Sequence, residues 1–148
     1  MEPRPVSFSS VDRRVVASDP GSSALLLQIV DAMAADVAKQ HSGHPCIASG
    51  IDSVRFLNPV KRGDLLVCMA AVNRTWNASM EVGIRVIAED FRTLSEVEIM
   101  SAYFTFVAID EEHKSVSVPP VLPETPDEIR RYEEAETRQA QRICNISI

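Results

Sequence analysis

The feature that most constrains this chain is an almost unbroken apolar run over residues 24–40, ALLLQIVDAMAADVAKQ. At 100° per residue its aliphatic side chains point in every direction, so we expect a helix that is covered on most sides. One carboxylate, Asp31, lies in the middle of the run, where an ionised group is costly to bury unless it is paired or used. Three and four positions away the helix offers no cation, and Gln28 is the only polar neighbour. Asp31 is therefore the first candidate functional residue.

Length and composition limit the class of protein. With 148 residues and 45% hydrophobic content, the chain is expected to form a single domain over residues 1–148. The net charge of −6 argues against a nucleic-acid partner. No apolar segment reaches the ~18 residues of a spanning helix, and no signal peptide is recognisable, so we expect no membrane span and a cytoplasmic location. Three cysteines without CxxC spacing fit reduced thiols.

Breaker residues and hydrophobic periodicity divide the chain into segments. The sequence Asp-Pro-Gly-Ser-Ser at positions 19–23 offers Ser22 or Ser23 as the N-cap of the central helix, and Gly43 fits its C-terminal stop. The predicted segments are an N-terminal strand or arm over about 1–20, the central helix over 24–41, an antiparallel sheet over 46–109, and a Pro-rich segment with a charged C-terminal helix over 110–148.

The sheet region has the clearest local pattern. Alternation of apolar and polar residues, interrupted by turn residues, predicts antiparallel hairpins. One apolar helix beside such strands predicts an α+β fold, in which a curled antiparallel sheet wraps the helix and leaves a partly apolar face for a dimer. The predicted strands are Cys46–Leu57, Leu65–Trp76, Ser79–Asp90 and Ser95–Ile109.

The tail predicts a second helix with different chemistry. From about Thr125 the sequence TPDE has the form of a capping box, and the helix that follows is charged almost all round. We expect a solvated helix that packs through Ile129 and Tyr132.

Several separated strings resemble one family. They are CIASGIDSVRFLNPVKRGDLL, NRTWNASMEVGIRVIAED, AYFTFVAID and VPPVLPETPDEIRRYEEAE. Together with the helix sequence VDAMAADVAKQH, they resemble the hot-dog-fold acyl-CoA thioesterases of the bacterial acyl-CoA hydrolase and brain cytosolic acyl-CoA hydrolase type, over residues 24–142. The resemblance implies hydrolysis of a fatty acyl-CoA to the free acid and coenzyme A without a metal or other cofactor. It assigns Asp31 as general base or nucleophile, and implies hot-dog dimers assembled as a trimer of dimers.

Two polar residues of the family pattern are missing from this chain. The family asparagine, fifteen residues before the aspartate, falls on Val16 by gap-free counting, although a shortened loop would bring Ser18 or Asp19 nearby. The family threonine corresponds to Ala48. The alternative interpretation is therefore a catalytically weakened hot-dog subunit that binds acyl-CoA or completes a hetero-oligomeric thioesterase.

The resemblance also directs attention to groups that would bind coenzyme A. In related thioesterases the loop before the SMEV string lies near the nucleotide, which favours Arg74 and Ser79 as CoA-binding residues, with Arg62 as a third. Arginine suits this task because its guanidinium group forms bidentate hydrogen bonds with phosphates. Ordinary surface charge is the competing explanation for each arginine.

His41, His44 and Cys46 allow two other interpretations. A histidine near an aspartate is the combination used by hot-dog dehydratases, and the three residues together have the ligand types of a zinc site. Both histidines lie more than two helical turns beyond Asp31, and no second group of ligands is present. Surface loop histidines are therefore the favoured interpretation, and we expect no metal site.

Overall fold

The computed structural model of this protein describes residues 6–7, 12–18, 23–61, 64–90 and 92–144. Within these ranges, strands and helices follow the order expected for an α+β fold. They are β1 (Val6–Ser7), β2 (Asp12–Ser18), α1 (Ser23–Ser42), β3 (Cys46–Phe56), β4 (Leu65–Trp76), β5 (Ser79–Asp90), β6 (Ser95–Ala108), β7 (Val121–Leu122) and α2 (Pro126–Cys144).

The main sheet has five strands in the order β2-β4-β5-β6-β3, with every neighbouring pair antiparallel. Consecutive strands β4, β5 and β6 form hairpins, whereas β3 crosses over to pair with β6 and becomes an edge strand. The short strands β1 and β7 pair in parallel. The predicted α+β architecture, a helix against a curled antiparallel sheet with a further helix at the C-terminus, is confirmed.

Helix α1 packs against one face of the sheet through a single stripe of its surface. The side chains in this stripe recur every three or four residues, as expected when one side of a helix is buried. The expectation that the helix is covered on most sides is wrong for the chain by itself, because the sheet lies on only one side and Leu25 remains 44% exposed. The buried stripe consists of Leu26, Val30, Met33, Ala34, Val37 and Ala38.

The core between α1 and the sheet is formed by alternate residues of the central strands. Val82 and Phe104 are completely buried, and the rings of Phe104 and Phe106 stack with centroids 6.0 Å apart. Burial of each such side chain contributes about 1.5–3 kcal/mol. Helix α1 ends where predicted, since Gly43 adopts a positive φ of 74° and its N–H donates to the carbonyl of Lys39.

Helix α2 lies against the opposite face of the sheet. Its start is a capping box, as predicted: Glu128 N–H donates to Thr125 Oγ1, and the Glu128 carboxylate accepts hydrogen bonds from the N–H groups of Glu124 and Thr125. These bonds hold the pKa of Glu128 below its ordinary value, with the Glu124 N–H as the largest cause. Within the described ranges, neither helix combines the length and the apolar character that a membrane crossing requires.

The edge strand β3 exposes apolar side chains to solvent. Ile47 and Phe56 are each 51% exposed, and Ile51, Val54 and the adjacent Leu57 are also open to solvent. An edge strand with unpaired backbone groups and apolar side chains favours pairing with another strand. The β3 edge therefore combines unpaired backbone groups with exposed apolar side chains.

Candidate functional site

Asp31 lies on the side of α1 that faces away from the sheet. Its neighbour Val30 is fully buried, whereas Asp31 itself is exposed, together with Gln28 one turn earlier and Ala32. The carboxylate is therefore accessible to water and to a ligand that approaches the outer face of the helix. The expectation that Asp31 occupies a poorly solvated place is wrong for the single chain.

His41 at the end of α1 and Cys46 at the start of β3 both make local side-chain contacts. His41 Nε2 donates to the carbonyl of Pro119 at 2.8 Å, and burial lowers the pKa of His41 although this hydrogen bond opposes the shift. Ser42 Oγ lies 3.3 Å from Cys46 Sγ, and burial raises the pKa of the Cys46 thiol. The residues that the structure describes contain no group of three ligands for a metal ion. His41 lies within α1 and is partly buried, so the expectation of a surface loop histidine is wrong for this residue.

Ser79 begins strand β5 beside a groove of about 600 Å³. The groove lies between the edge strand β3 and the last turns of α2, and its walls carry many hydroxyl, amide and guanidinium groups. The Ser79 hydroxyl donates to the carbonyl of Trp76 at 3.2 Å, a bond that helps to close the β4–β5 turn. Besides Ser79, the groove is lined by Ser49, Gly50, Ile51, Asp52, Ser53, Thr105, Arg138, Gln139, Gln141, Arg142 and Ile143.

Arg74 is held by α2. Its guanidinium carbon lies 3.9 Å from the ring centroid of Tyr132, its Nη1 donates to the Tyr132 carbonyl, and its Nε lies 3.1 Å from a Glu136 carboxylate oxygen. These contacts account for the guanidinium group without a ligand. Arg62, the other arginine predicted to bind coenzyme A, lies outside the described residues. Both assignments stay predictions.

The α2 side of the sheet carries a buried ionic cluster that was not predicted from the sequence. Glu81 is 0% exposed, and two arginines of α2 reach it. Arg138 donates to both Glu81 oxygens at 2.8 Å, and Arg142 bridges Glu81 and Asp52 of the edge strand. Burial raises the pKa of Glu81, but the hydrogen bonds from Arg138, Asn73 and Arg142 outweigh that effect and leave the pKa below its ordinary value. The four-residue spacing of Arg138 and Arg142 was the only available signal.

Asn73 completes this cluster from the neighbouring strand. It is 2% exposed, and its Nδ2 donates to Glu81 at 2.9 Å. Gly83 makes room for it, because a Cβ atom at that position would lie only 2.6 Å from Asn73 Nδ2. A neighbouring cleft of about 430 Å³ contains Arg85 and Arg130, but both guanidinium groups pair with nearby carboxylates. The cluster of Glu81, Asn73, Arg138 and Arg142 therefore attaches α2 to the sheet.

Comparison with known proteins gives a consistent result. Residues 23–95 match the thioesterase superfamily. The chain is 37% identical over 117 residues to protein VdlD of Helicobacter pylori, an alignment that covers 79% of this chain and 67% of that protein. It is also 30% identical over 117 residues to the human cytosolic acyl coenzyme A thioester hydrolase, of which it covers only 31%.

Solved structures extend the similarity over nearly the whole chain. Acyl-CoA hydrolase from Staphylococcus aureus, solved with butyryl coenzyme A, coenzyme A and coenzyme A disulfide, is 32% identical with a TM-score of 0.82, covering 95% of this chain and 93% of that one. An apo-hexameric acyl-CoA thioesterase is 30% identical with a TM-score of 0.86, covering 94% and 93%.

The S. aureus hydrolase was also solved as alanine variants of an asparagine, an aspartate and a threonine. In that chain the asparagine precedes the aspartate by fifteen positions and the threonine follows it by seventeen. Counted without gaps from Asp31, the same intervals reach Val16 and Ala48. Val16 lies at a register irregularity in β2, and Ala48 is exposed on β3 opposite Phe106. Neither side chain offers a hydrogen-bonding group.

Proposed function

Because the chain belongs to the family of hot-dog acyl-CoA thioesterases, we propose that it hydrolyses a fatty acyl-CoA to the free acid and coenzyme A, with Asp31 as general base or nucleophile. The observation that carries the proposal is the exposed carboxylate of Asp31 on the outer face of α1, inside the stretch that matches the family. A carboxylate that is open to both water and ligand is suited to either role.

The general-base route uses one water molecule. Asp31 accepts a proton from the water as its oxygen attacks the thioester carbonyl carbon, and a tetrahedral oxyanion forms. When the oxyanion collapses, the carbon–sulfur bond breaks, and the thiolate of coenzyme A takes the proton back from Asp31. In the nucleophilic route the carboxylate attacks the thioester carbon directly, the carbon–sulfur bond breaks to release the thiolate of coenzyme A, and an acyl anhydride forms. Water then attacks the Asp31 acyl carbon of the anhydride, which releases the free acid and restores the carboxylate, and the thiolate takes up the remaining proton.

An assay of thiol release tests the proposal. Purified protein is incubated with acyl-CoAs of increasing chain length, and wild type is compared with Asp31→Asn and with the matched substitution Asp36→Asn on the same helix. We expect loss of activity in the first variant only. Equal rates for wild type and Asp31→Asn would contradict the proposal. A single turnover in ¹⁸O-labelled water separates the routes, because only the nucleophilic one places ¹⁸O in the Asp31 carboxylate.

For coenzyme A we propose contacts with Ser79, Arg74 and Arg62. Support for Ser79 comes from its position on the polar groove between β3 and α2. Ser79→Ala and Arg62→Ala are expected to raise KM for acyl-CoA with little change in kcat, because ground-state binding groups act mainly on KM. An unchanged KM in both variants would remove these residues from the site.

We also propose self-association as hot-dog dimers that assemble into a trimer of dimers. A hexameric relative and the exposed apolar edge of β3 support this assembly. Light scattering should give about 98 kDa, six times the 16.3 kDa of the chain. A Phe56→Glu variant should reduce this mass, and a wild-type protein of 16.3 kDa would contradict the assembly.

Two further proposals concern conditions of action. The reaction is proposed to need no metal or other cofactor, so activity should survive dialysis against EDTA; loss that is restored by a metal would contradict this. A cytoplasmic location is proposed, and fractionation of cells that produce the protein tests it.

The alternative function is a weakened subunit that binds acyl-CoA or completes a hetero-oligomeric thioesterase. The observation that favours it is the apolar pair Val16 and Ala48 at the positions counted from Asp31. This alternative predicts saturable binding of coenzyme A by calorimetry without thiol release. It also predicts that the double substitution Val16→Asn with Ala48→Thr raises turnover, whereas an already active wild type would show little gain.

A further inference from the structure

The outer face of α1 places one amide beside the proposed catalytic carboxylate. Gln28 and Asp31 are both exposed and lie three residues apart, a spacing that brings Cβ atoms to about 5–6 Å on a helix. The other residues three or four positions from Asp31 are Leu27, Ala34 and Ala35, which offer no polar side-chain group. In the described part of the chain, Gln28 is therefore the polar side chain nearest to Asp31 along the helix.

Thioester hydrolysis needs more than a base. The attacking water must be held with a lone pair directed at the carbonyl carbon, and a carboxylate can fix only one of its two protons. A second hydrogen-bond acceptor beside the carboxylate holds the other proton of the water. Val16 and Ala48 lack such a group, whereas the side-chain carbonyl of a glutamine supplies one.

We propose that Gln28 is a positioning residue that orients the water activated by Asp31; this inference rests on the proposed function. The Gln28 carbonyl accepts one proton of the water in a hydrogen bond, and Asp31 accepts the other and then removes it. The water oxygen forms its bond to the thioester carbon, and when the resulting oxyanion collapses the carbon–sulfur bond breaks and the thiolate of coenzyme A takes the proton from Asp31. Gln28 gains and loses no proton, so its contribution lies in orientation alone.

The test replaces the amide without disturbing the helix. Gln28→Met keeps the length of the side chain and removes its acceptor, and Gln40→Met makes the same change at another exposed position of α1. We expect Gln28→Met to lower kcat about 10- to 100-fold with KM within twofold, as for an interaction made mainly in the transition state. Gln40→Met should retain full activity, and circular dichroism should show equal folding of both variants.

A second variant separates orientation from a purely structural role. Gln28→Glu retains an acceptor but places a like charge beside Asp31, so part of kcat should return and the acid limb of the kcat/KM profile should move to higher pH. Activity of Gln28→Met within twofold of wild type, or an effect on KM alone, would overturn the inference. If Asp31→Asn abolishes activity while Gln28→Met does not, only this inference fails; if Asp31→Asn remains fully active, the proposed function fails as well.

Discussion

The two helices lie on opposite faces of one sheet, and each is associated with a carboxylate of opposite character. The apolar helix α1 carries Asp31, which is exposed, whereas the charged helix α2 covers Glu81, which is completely buried. The sequence indicates the reverse, because Asp31 has apolar neighbours and Glu81 lies in an ordinary alternating strand. The difference shows that burial of a charge depends on partners distant in sequence: Arg138 and Arg142 lie 57 and 61 residues from Glu81.

The contacts that hold the two helices to the sheet also differ in chemistry. Helix α1 is held by aliphatic contacts, which leave its outer face available for a reaction. Helix α2 buries only Glu128 and Ala135, and its contact with the sheet depends on ion pairs and on the stacking of Arg74 with Tyr132. We therefore expect substitutions at Asp31 to change catalysis and substitutions around Glu81 to change stability.

The largest expected effect is that of Asp31→Asn on catalysis. Loss of a general base should lower kcat about 10²- to 10⁴-fold, with the midpoint of urea unfolding unchanged because the side chain is exposed. Thiol release and urea titration measure the two properties. A variant that lost stability as well as activity would break the contrast between the two carboxylates.

Glu81→Gln should have the largest effect on stability. The substitution leaves two guanidinium groups facing an uncharged amide, and we expect a loss of about 2–4 kcal/mol, moderated by the partial exposure of both arginines. Glu96→Gln, at an exposed position of the neighbouring strand β6, serves as the control. Urea unfolding that shows equal losses for both variants would contradict the central role of the cluster.

The contribution of Glu81 to the free energy of unfolding should also depend on pH. The folded-state pKa lies below the ordinary value of 4.5, so the stabilisation is fully present above that value and is lost as the pH falls through the folded pKa. The difference in unfolding free energy between wild type and Glu81→Gln should therefore narrow in acid. A difference that widened below pH 4.5 would show that the sign is wrong.

Gly83→Ala should have an intermediate effect. The added Cβ would approach Asn73 Nδ2 to 2.6 Å and displace the amide that supports Glu81, at a cost of about 1–3 kcal/mol. Gly50→Ala is the matched control, because a Cβ there meets no atom within 4 Å. Comparable thermal midpoints for the two variants would show that Asn73 is not held as tightly as the contact requires.

The smallest effect on stability is expected for Glu136, on the exposed side of α2. Glu136 accepts a hydrogen bond from Trp76 Nε1 at 2.9 Å and pairs with Arg74, but its side chain is 54% exposed. Glu136→Gln should cost less than about 1 kcal/mol, and 0.5 M salt should remove most of the difference. A loss as large as that of Glu81→Gln would show that the outer contacts, rather than the buried ones, hold α2.

Local patterns predicted the elements of the fold well. The bounds of β4 and β5, Leu65–Trp76 and Ser79–Asp90, coincide with those expected, because the Asn77-Ala78 turn and the alternating residues are properties of neighbouring positions. The N-terminal segment was less predictable: one strand was expected, but the structure has β1 and β2, and β1 pairs with β7 more than a hundred residues away. Such a pairing leaves no periodic signal.

The candidate site, too, could be predicted from the sequence only in part. The place of Asp31 in the helix follows from the sequence and its resemblance to the family, and Ser79 and Arg74 were assigned by the same resemblance. The engagement of Arg74 by Tyr132 and Glu136 did not follow, because α2 contributes both partners from far along the chain.

The sequence by itself determined the helix around Asp31, the antiparallel hairpins and the capped tail helix, since periodicity, turn residues and caps act between neighbours. Tertiary structure decided which carboxylate is exposed and which is buried. The free energy of a charged side chain depends on the solvent and counter-charges around it, and those are set by groups that meet only when the sheet and both helices assemble.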